Sequence, residues 1–352
     1  MVTWLLSGDK PRSLILTVLL LIILVCLAGA PFLFPGVRSL ETAATICIFI
    51  VLAASYDLLL GYTGIVSFAH TMFFGLGAYG VALASTHMGR TFGALAVGSL
   101  SGALAAAALA FLIGLLSLRV RAIFFAMITL AVASAVAVLV SQLSSITGGE
   151  DGLIYRIPRE LTPAFRPFDE EILGIRVTGK IFNYYLVFLS CLALFLVMLR
   201  LVNSPFGRVL QAIRENDFRA EAIGYRVVRY RTAATCLSAA TAALAGAIYA
   251  IWLRYVGPDT TLSFEIMLDL LLMVVIGGMG TIYGAVIGAT IFVLAQNYLQ
   301  NLMNVASGAT EGLPLLPELL SADRWLMWLG VLFILSVYFF PTGIVGRLRA
   351  GR

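Results

Sequence analysis

Ten stretches of this chain run for about twenty residues each with almost no charge, and a bilayer is the setting that accommodates such runs. They cover 14–34, 40–60, 66–86, 92–116, 122–143, 182–201, 232–253, 262–279, 285–302 and 325–340. An α-helix of that length matches a hydrocarbon core of about 30 Å and satisfies its own backbone there, whereas a β-barrel would show short alternating segments. Composition agrees: 61% of the 352 residues are hydrophobic, 12% are charged and the mean hydropathy is +1.01, too little polar surface for a water-soluble globule. The predicted fold is all-α, a polytopic transmembrane bundle in a single domain. The third run is the weakest helix, because Gly64, Gly75, Gly77 and Gly80 admit a broken or partly re-entrant path.

The net charge of +5 does not point to nucleic acid, since the basic residues sit in short connections between apolar runs. With the amino terminus in the cytoplasm, 14 of the 23 Lys and Arg residues fall on the inner side, Lys10, Arg12, Arg119, Arg121 and Arg352 among them. Both termini are then cytoplasmic. The first run follows Lys10 and Arg12 as a signal peptide would, but it is longer than the usual apolar core of one, and it is expected to be retained as a span.

Two longer polar connections fall on opposite sides. The outer one, 144–181, carries Pro158, Pro163 and Pro167 with mixed charge and reads as a folded external segment. The inner one, 203–231, reads as two short helices. Ser204 caps the first, with Pro205 in its first turn and Val209, Ala212 and Ile213 on one face. The second presents a stripe of Phe218, Ala222 and Ile223 and ends at Gly224. Such helices can lie in the lipid interface or dock on a protein; the mixture of charge signs favours a protein.

Cys26, Cys47, Cys191 and Cys236 each lie inside an apolar run without a CxxC partner and read as packing residues, and no metal site is expected. The chain has no Gly-rich phosphate loop of the Gly-x-x-x-x-Gly-Lys-Ser/Thr kind, so it is not expected to be an enzyme.

Several blocks, in order, resemble the permease subunits of branched-chain amino-acid ABC importers. They are LLLGYTGIVSFAH at 58–70 with FFGLGAY at 73–79, IFFAMITLA at 123–131, TGGEDGL at 147–153, the 204–224 segment, and LLMVVIGGMGT at 271–281. The resemblance implies a bacterial inner-membrane permease that pairs with a homologous permease subunit and two cytoplasmic ATP-binding subunits, and that receives solute from a periplasmic solute-binding protein. ATP and Mg would belong to the partner subunits, and this chain would bind no cofactor. It further implies that Arg214, Glu215, Phe218, Glu221, Ala222 and Gly224 dock on the ATPase. Related permeases carry urea, short amides or aromatic acids, so the solute is less sharply specified than the family. Asp57 departs from the Asn expected at its position.

A zwitterionic solute needs a path with small residues, hydroxyls and little fixed charge. Gly61, Tyr62, Thr63, Gly64, Ser67 and His70 offer this chemistry after the second run, either as pathway or as helix packing. Asp57 and Asp269 lie within apolar runs and must face protein or water; Asp269, one turn from Glu265, is a candidate for the pathway. His70, Asp57 or Asp269 would alternatively serve a proton-coupled secondary transporter. The glycines at 277, 278, 280, 284 and 288 read as tight helix packing and echo Gly61-x-x-Gly64 after an apolar run.

Overall fold

A computed structural model describes residues 13–34, 36–117, 122–166, 171–172, 175–176, 178–309, 321, 324–340 and 342–350. Lys10, Arg12, Arg119, Arg121, Pro167 and Arg352 lie outside these. The helices are α1 (Leu14–Ala28), α2 (Ala30–Leu33), α3 (Val37–Leu60), α4 (His70–Met88), α5 (Phe92–Ser117), α6 (Ala122–Gln142), α7 (Ser144–Thr147), α8 (Gly179–Val202), α9 (Pro205–Glu215), α10 (Asp217–Ala222), α11 (Val227–Leu253), α12 (Pro258–Thr261), α13 (Phe264–Gly277), α14 (Ile282–Ala309), α15 (Trp325–Phe339) and α16 (Gly343–Ala350). Each apolar run of the sequence coincides with a helical segment. Among the described residues, seven helical stretches are long and apolar enough to cross a bilayer, formed by α3, α5, α6, α8, α11, α12 with α13, and α14.

The other three runs depart from a plain span for identifiable reasons. The first is interrupted at Gly29, so α1 has 15 residues and reaches only about 22 Å at 1.5 Å per residue. The third is continuous from His70 to Met88, and only its first residues, 66–69, are not helical. Gly75, Gly77 and Gly80 therefore do not break it. They bring backbones together: a β-carbon at Gly77 would overlap the Ala243 carbonyl of α11, and one at Gly80 would crowd Gly98 and Gly102 of α5. The last run forms α15, whose apolar part is a shorter helix.

α11 occupies the centre, packed against α3, α4 and α5. Its sequence explains the position, because the run AATAALAGA keeps the helix thin and lets three neighbours approach. α3 is buried along most of its length, whereas α6 is buried along little of it and leaves Ile123, Phe124, Met127, Val138 and Leu139 exposed. In a bilayer those side chains meet lipid or another subunit. α13 and α14 form a close antiparallel pair, in which a β-carbon at Gly288 would overlap the Met273 carbonyl.

The described part of 144–181 is folded onto the bundle. Its strand β1 (Leu153–Ile154) pairs antiparallel with β4 (Tyr255–Val256) beyond α11, and β2 (Glu171–Ile172) pairs with β3 (Ile175–Arg176). Tyr155, Ile157 and Leu161 join a second apolar cluster with Tyr79, Ala82 and Ile251. The TGGEDGL motif acquires a reason here: Gly148, Gly149 and Gly152 all have positive φ, and Thr147 Oγ1 donates to Val140 O at 2.6 Å.

Filling the α4–α11 contact tests this packing. Gly77→Val should lower the Tm of the detergent-solubilised chain by several degrees, corresponding to about 1–3 kcal/mol of overpacking, while Gly93→Val, a position with open space around it, should leave Tm unchanged. Equal Tm values for the two variants would contradict a backbone-to-backbone contact.

Candidate functional site

The backbone leaves helical geometry after Leu60 and does not resume it until His70. Gly61 N donates to Asp57 O at 2.7 Å and Thr63 N to Leu59 O at 3.2 Å, which closes α3. Beyond Gly64, whose φ is 70°, the chain runs without helical geometry as far as Ala69, buried at Ile65, Ser67 and Ala69. Phe68 N donates to Thr129 Oγ1 at 3.1 Å, and Thr129 lies about 10 Å along α6 from its first residue. Ala69 N is taken by Ser67 Oγ at 3.3 Å. Side-chain hydroxyls thus replace the helical ladder where the backbone is not helical, as an apolar medium demands.

Three segments converge where this stretch begins. Asp57, 1% exposed, accepts a hydrogen bond at Oδ1 from Gly280 N at 2.8 Å, joining α3 to the α13–α14 turn. The Gly61 and Gly280 turns, which echo one another in sequence, are in direct contact: a β-carbon on Gly61 would overlap both Asp57 and Gly280 N. Arg214 of α9 lays its stem over Gly64, and its guanidinium donates to Gly61 O and lies beside Gly280. Arg214 and the Asp57 carboxyl thus reach the same Gly61–Gly280 contact from two sides, the arginine from the polar 203–231 segment and the carboxyl from within a membrane helix.

His70 opens α4 fully buried. Its Nε2 pairs with Ser238 Oγ of α11 at 3.0 Å, and Ser238 in turn donates to Ser55 O of α3. Its ring stands edge-on to Tyr56 at 4.9 Å. Tyr62, Thr63 and Ser67 are likewise buried within the chain, Thr63 Oγ1 donating to Leu59 O at 2.6 Å; Gly64 is the exposed member of the group.

A cleft of about 480 Å³ lies next to the non-helical stretch, between α6 and the α12–α13 corner. Phe68 and Thr71 contribute from one end, Glu150 and Asp259 from the other. Its α6 wall is a stripe of Leu130, Ala133, Ser134, Ala137 and Ser141, so small and hydroxyl side chains recur there at helical spacing. Phe68 and Phe264 meet across it at 6.1 Å between ring centres.

The predicted residues therefore fall into three places. Gly61, Gly64 and Arg214, expected to serve different roles, form one junction. Tyr62, Thr63, Ser67 and His70 lie behind it in the core. Asp269 stands apart on α13, about 13 Å along the axis from Gly278, half-buried on a face with Glu265 and the exposed Leu268. The expected docking residues Glu215, Phe218, Glu221, Ala222 and Gly224 are all exposed. Here the faces differ from the sequence reading: Leu210 and Ile213 of α9 are buried while Ala212 is exposed, and Ala220 is the inward residue of α10. Ile213, Ala220 and Val227 pack together, which leaves Phe218 at 83% exposure and Ile223 at 69%. Ser238, Thr129 and the Ser134–Ser141 stripe escaped sequence reasoning, although the small-and-hydroxyl periodicity of α6 was the signal available for the last.

Seven helical stretches long and apolar enough to cross a bilayer, packed through small residues into one bundle, define a multi-pass membrane protein. Residues 39–337 match a family described as branched-chain amino acid transport system / permease component, and the chain belongs to that family. It is 28% identical over 295 residues to the high-affinity branched-chain amino acid transport system permease protein LivM of Salmonella typhimurium, covering 80% of this chain and 68% of that protein. It is 29% identical over 297 residues to LivM of Escherichia coli, with the same coverage, and 27% identical over 229 residues to the probable LivM of Methanocaldococcus jannaschii, covering 65% of this chain and 61% of that one. No solved structure matches.

The junction yields a direct expectation. Asp57→Asn keeps an acceptor for Gly280 N and should retain most stability, whereas Asp57→Leu leaves that buried N–H unpaired and should cost about 1–3 kcal/mol, read as Tm of the solubilised protein. Equal Tm values for the two variants would remove the hydrogen bond from the account.

Proposed function

We propose that this chain is the permease subunit of an ATP-driven importer of branched-chain amino acids. The family match across 39–337 carries the reading. It is a ten-span protein of the bacterial inner membrane with both termini in the cytoplasm, α1, α4 and α15 completing the seven longer spans. A homologous permease subunit completes the translocation unit, two cytoplasmic ATP-binding subunits bind and hydrolyse ATP with Mg, and a periplasmic solute-binding protein delivers the solute. This chain binds no cofactor of its own.

The 203–231 segment is the docking element. Phe218 and Ile223 are large apolar groups on a polar loop, and the α9–α10 pair beneath them is held by Ile213, Ala220 and Val227. An exposed cluster of this kind on a rigid support fits a protein groove better than water. Arg214 connects that element to the Gly61 and Gly280 turns, so displacement of α9 pulls on the end of the non-helical stretch that borders the cleft. Solute passes along the α6–α13 cleft, where Thr71, Ser134 and Ser141 supply hydroxyls along the wall and the carboxylates of Glu150 and Asp259 are confined to one end. The acidic face of α13, Glu265 and Asp269, lies outside that cleft and faces the second subunit, since lipid would penalise it. His70 is paired with Ser238 in the core, an arrangement that favours a packing role over proton relay.

Reconstitution with the ATPase subunits tests the reading. Leucine uptake into vesicles should require ATP and persist when the proton gradient is collapsed. Phe218→Asp should abolish both ATPase co-purification and uptake, while Phe218→Leu retains them. Ser134→Trp should block uptake more than tenfold and leave ATPase co-purification intact, because it fills the cleft and not the dock. Uptake that needs no ATPase and collapses with the proton gradient would assign the chain to secondary transport, and wild-type uptake by Ser134→Trp would move the path elsewhere.

A further inference from the structure

At the end of the bundle that carries 144–181, a second crevice of about 290 Å³ opens where α3 and α8 begin and α11 ends. It shares no residue with the α6–α13 cleft. Charges of both signs line it. Lys180 Nζ meets Glu41 Oε1 at 3.0 Å and lies 5.7 Å from the centre of the Trp252 ring. Arg38 donates to Asn297 O at 2.8 Å, and Arg254 ends α11 in the left-handed region at φ 61°, the one non-glycine residue described with positive φ. Strain of that kind is seldom retained without a constraint that holds it.

Asn183 is the second observation. It lines the crevice at 4% exposure, its Nδ2 donates to Ile251 O at 3.5 Å, and its Oδ1 has no partner. A buried amide oxygen left without a donor is unfavourable unless a ligand or water supplies one. The helix ends add directionality. α3 and α8 start here without a side-chain N-cap, so their amide ends are positive, while the carbonyl end of α11 is negative. Leu161 and Pro163 of the external segment close the crevice from above.

We infer that this crevice binds a small zwitterion, with an anionic group held by Lys180, Arg254 and the two helix starts, and a primary ammonium held by Glu41 and Asn183 Oδ1. Leu161, Tyr249 and Leu253, which also line the crevice, receive the apolar remainder of the ligand. A free α-amino acid and the headgroup of an aminophospholipid both carry this chemistry. The inference goes beyond the transport reading, since it requires a ligand here whether or not the α6–α13 cleft conducts solute.

The test uses the full-length chain in nanodiscs of phosphatidylcholine, whose quaternary ammonium has no N–H to donate, with tritiated L-leucine measured by equilibrium dialysis. Saturable binding is expected. Leucinol, which lacks the carboxylate, and 4-methylpentanoate, which lacks the ammonium, should each compete at least about tenfold more weakly than leucine, the factor that a lost charge-assisted hydrogen bond produces. Glu41→Gln should weaken leucine by a similar factor and reduce the discrimination against 4-methylpentanoate; a merely structural Glu41–Lys180 pair would leave that discrimination untouched. If phosphatidylethanolamine is the natural occupant, adding it to the nanodiscs should displace leucine, and native mass spectrometry should show it retained by the wild type and lost from Glu41→Gln. The inference is overturned if leucine binding is not saturable and phosphatidylethanolamine is not retained, or if the two single-charge analogues compete as well as leucine. The analogue series uses the unaltered protein, so a variant that fails to fold does not remove the test.

Discussion

Every backbone amide and carbonyl inside a bilayer has to find a partner within the protein, and the stretch 61–69 is where that requirement is hardest to meet. Within an uninterrupted helix the ladder meets it automatically. Here Ser67, Thr129 and Arg214 provide the substitutes, drawn from the stretch itself, from α6 and from the polar 203–231 segment. The consequence is architectural: α6 and α9 are tied to the same short piece of chain, at its two ends. A bundle built only of uninterrupted helices would have no such tie between α6 and the polar 203–231 segment.

Small residues make the tie possible. Association of helices in lipid gains little from hydrophobic burial and depends on close packing, so the glycines and alanines of α4, α5 and α11 are what hold the centre together. Gly246 illustrates the point, since a β-carbon there would overlap the carbonyl of Phe74. With α4 fixed in this way at its middle, His70 is locked between Ser238 and Tyr56, and the non-helical stretch is anchored at its far end. Freedom remains at the near end, where Gly64 is exposed and only the Arg214 side chain lies over it.

The helices were legible in the sequence because length and hydropathy report on the solvent, and the bilayer is a uniform solvent. All ten apolar runs coincide with helical segments for that reason. Faces were less legible. Val209, Ala212 and Ile213 form a reasonable stripe on paper, yet Leu210 takes the place of Ala212 because α9 packs on α8 and α11 as well as on α10. The glycines of the third run misled in the same way: glycine both weakens a helix and permits close approach, and only the neighbouring backbone decides between the two. The Ser134–Ser141 stripe on α6 could have been read from its spacing, but the opposing α12–α13 corner, separated by more than a hundred residues, could not.

Asp57 shows how these levels combine. A carboxylate in a membrane helix costs several kcal/mol by insertion scales, and an asparagine there would accept the same hydrogen bond from Gly280 N without the charge. The basic side chain that reaches the same contact is Arg214, from the polar 203–231 segment. With asparagine, α9 would still be held by the Gly61 carbonyl and by the packing of Leu210 and Ile213. An ionised carboxyl is drawn to a guanidinium more strongly where water is excluded than where water screens the pair, so aspartate makes this junction more sensitive to its surroundings than asparagine would. The contact ties the polar 203–231 segment to a membrane helix at a point where two backbone turns already touch, so Asp57, Gly280 and Arg214 position one another.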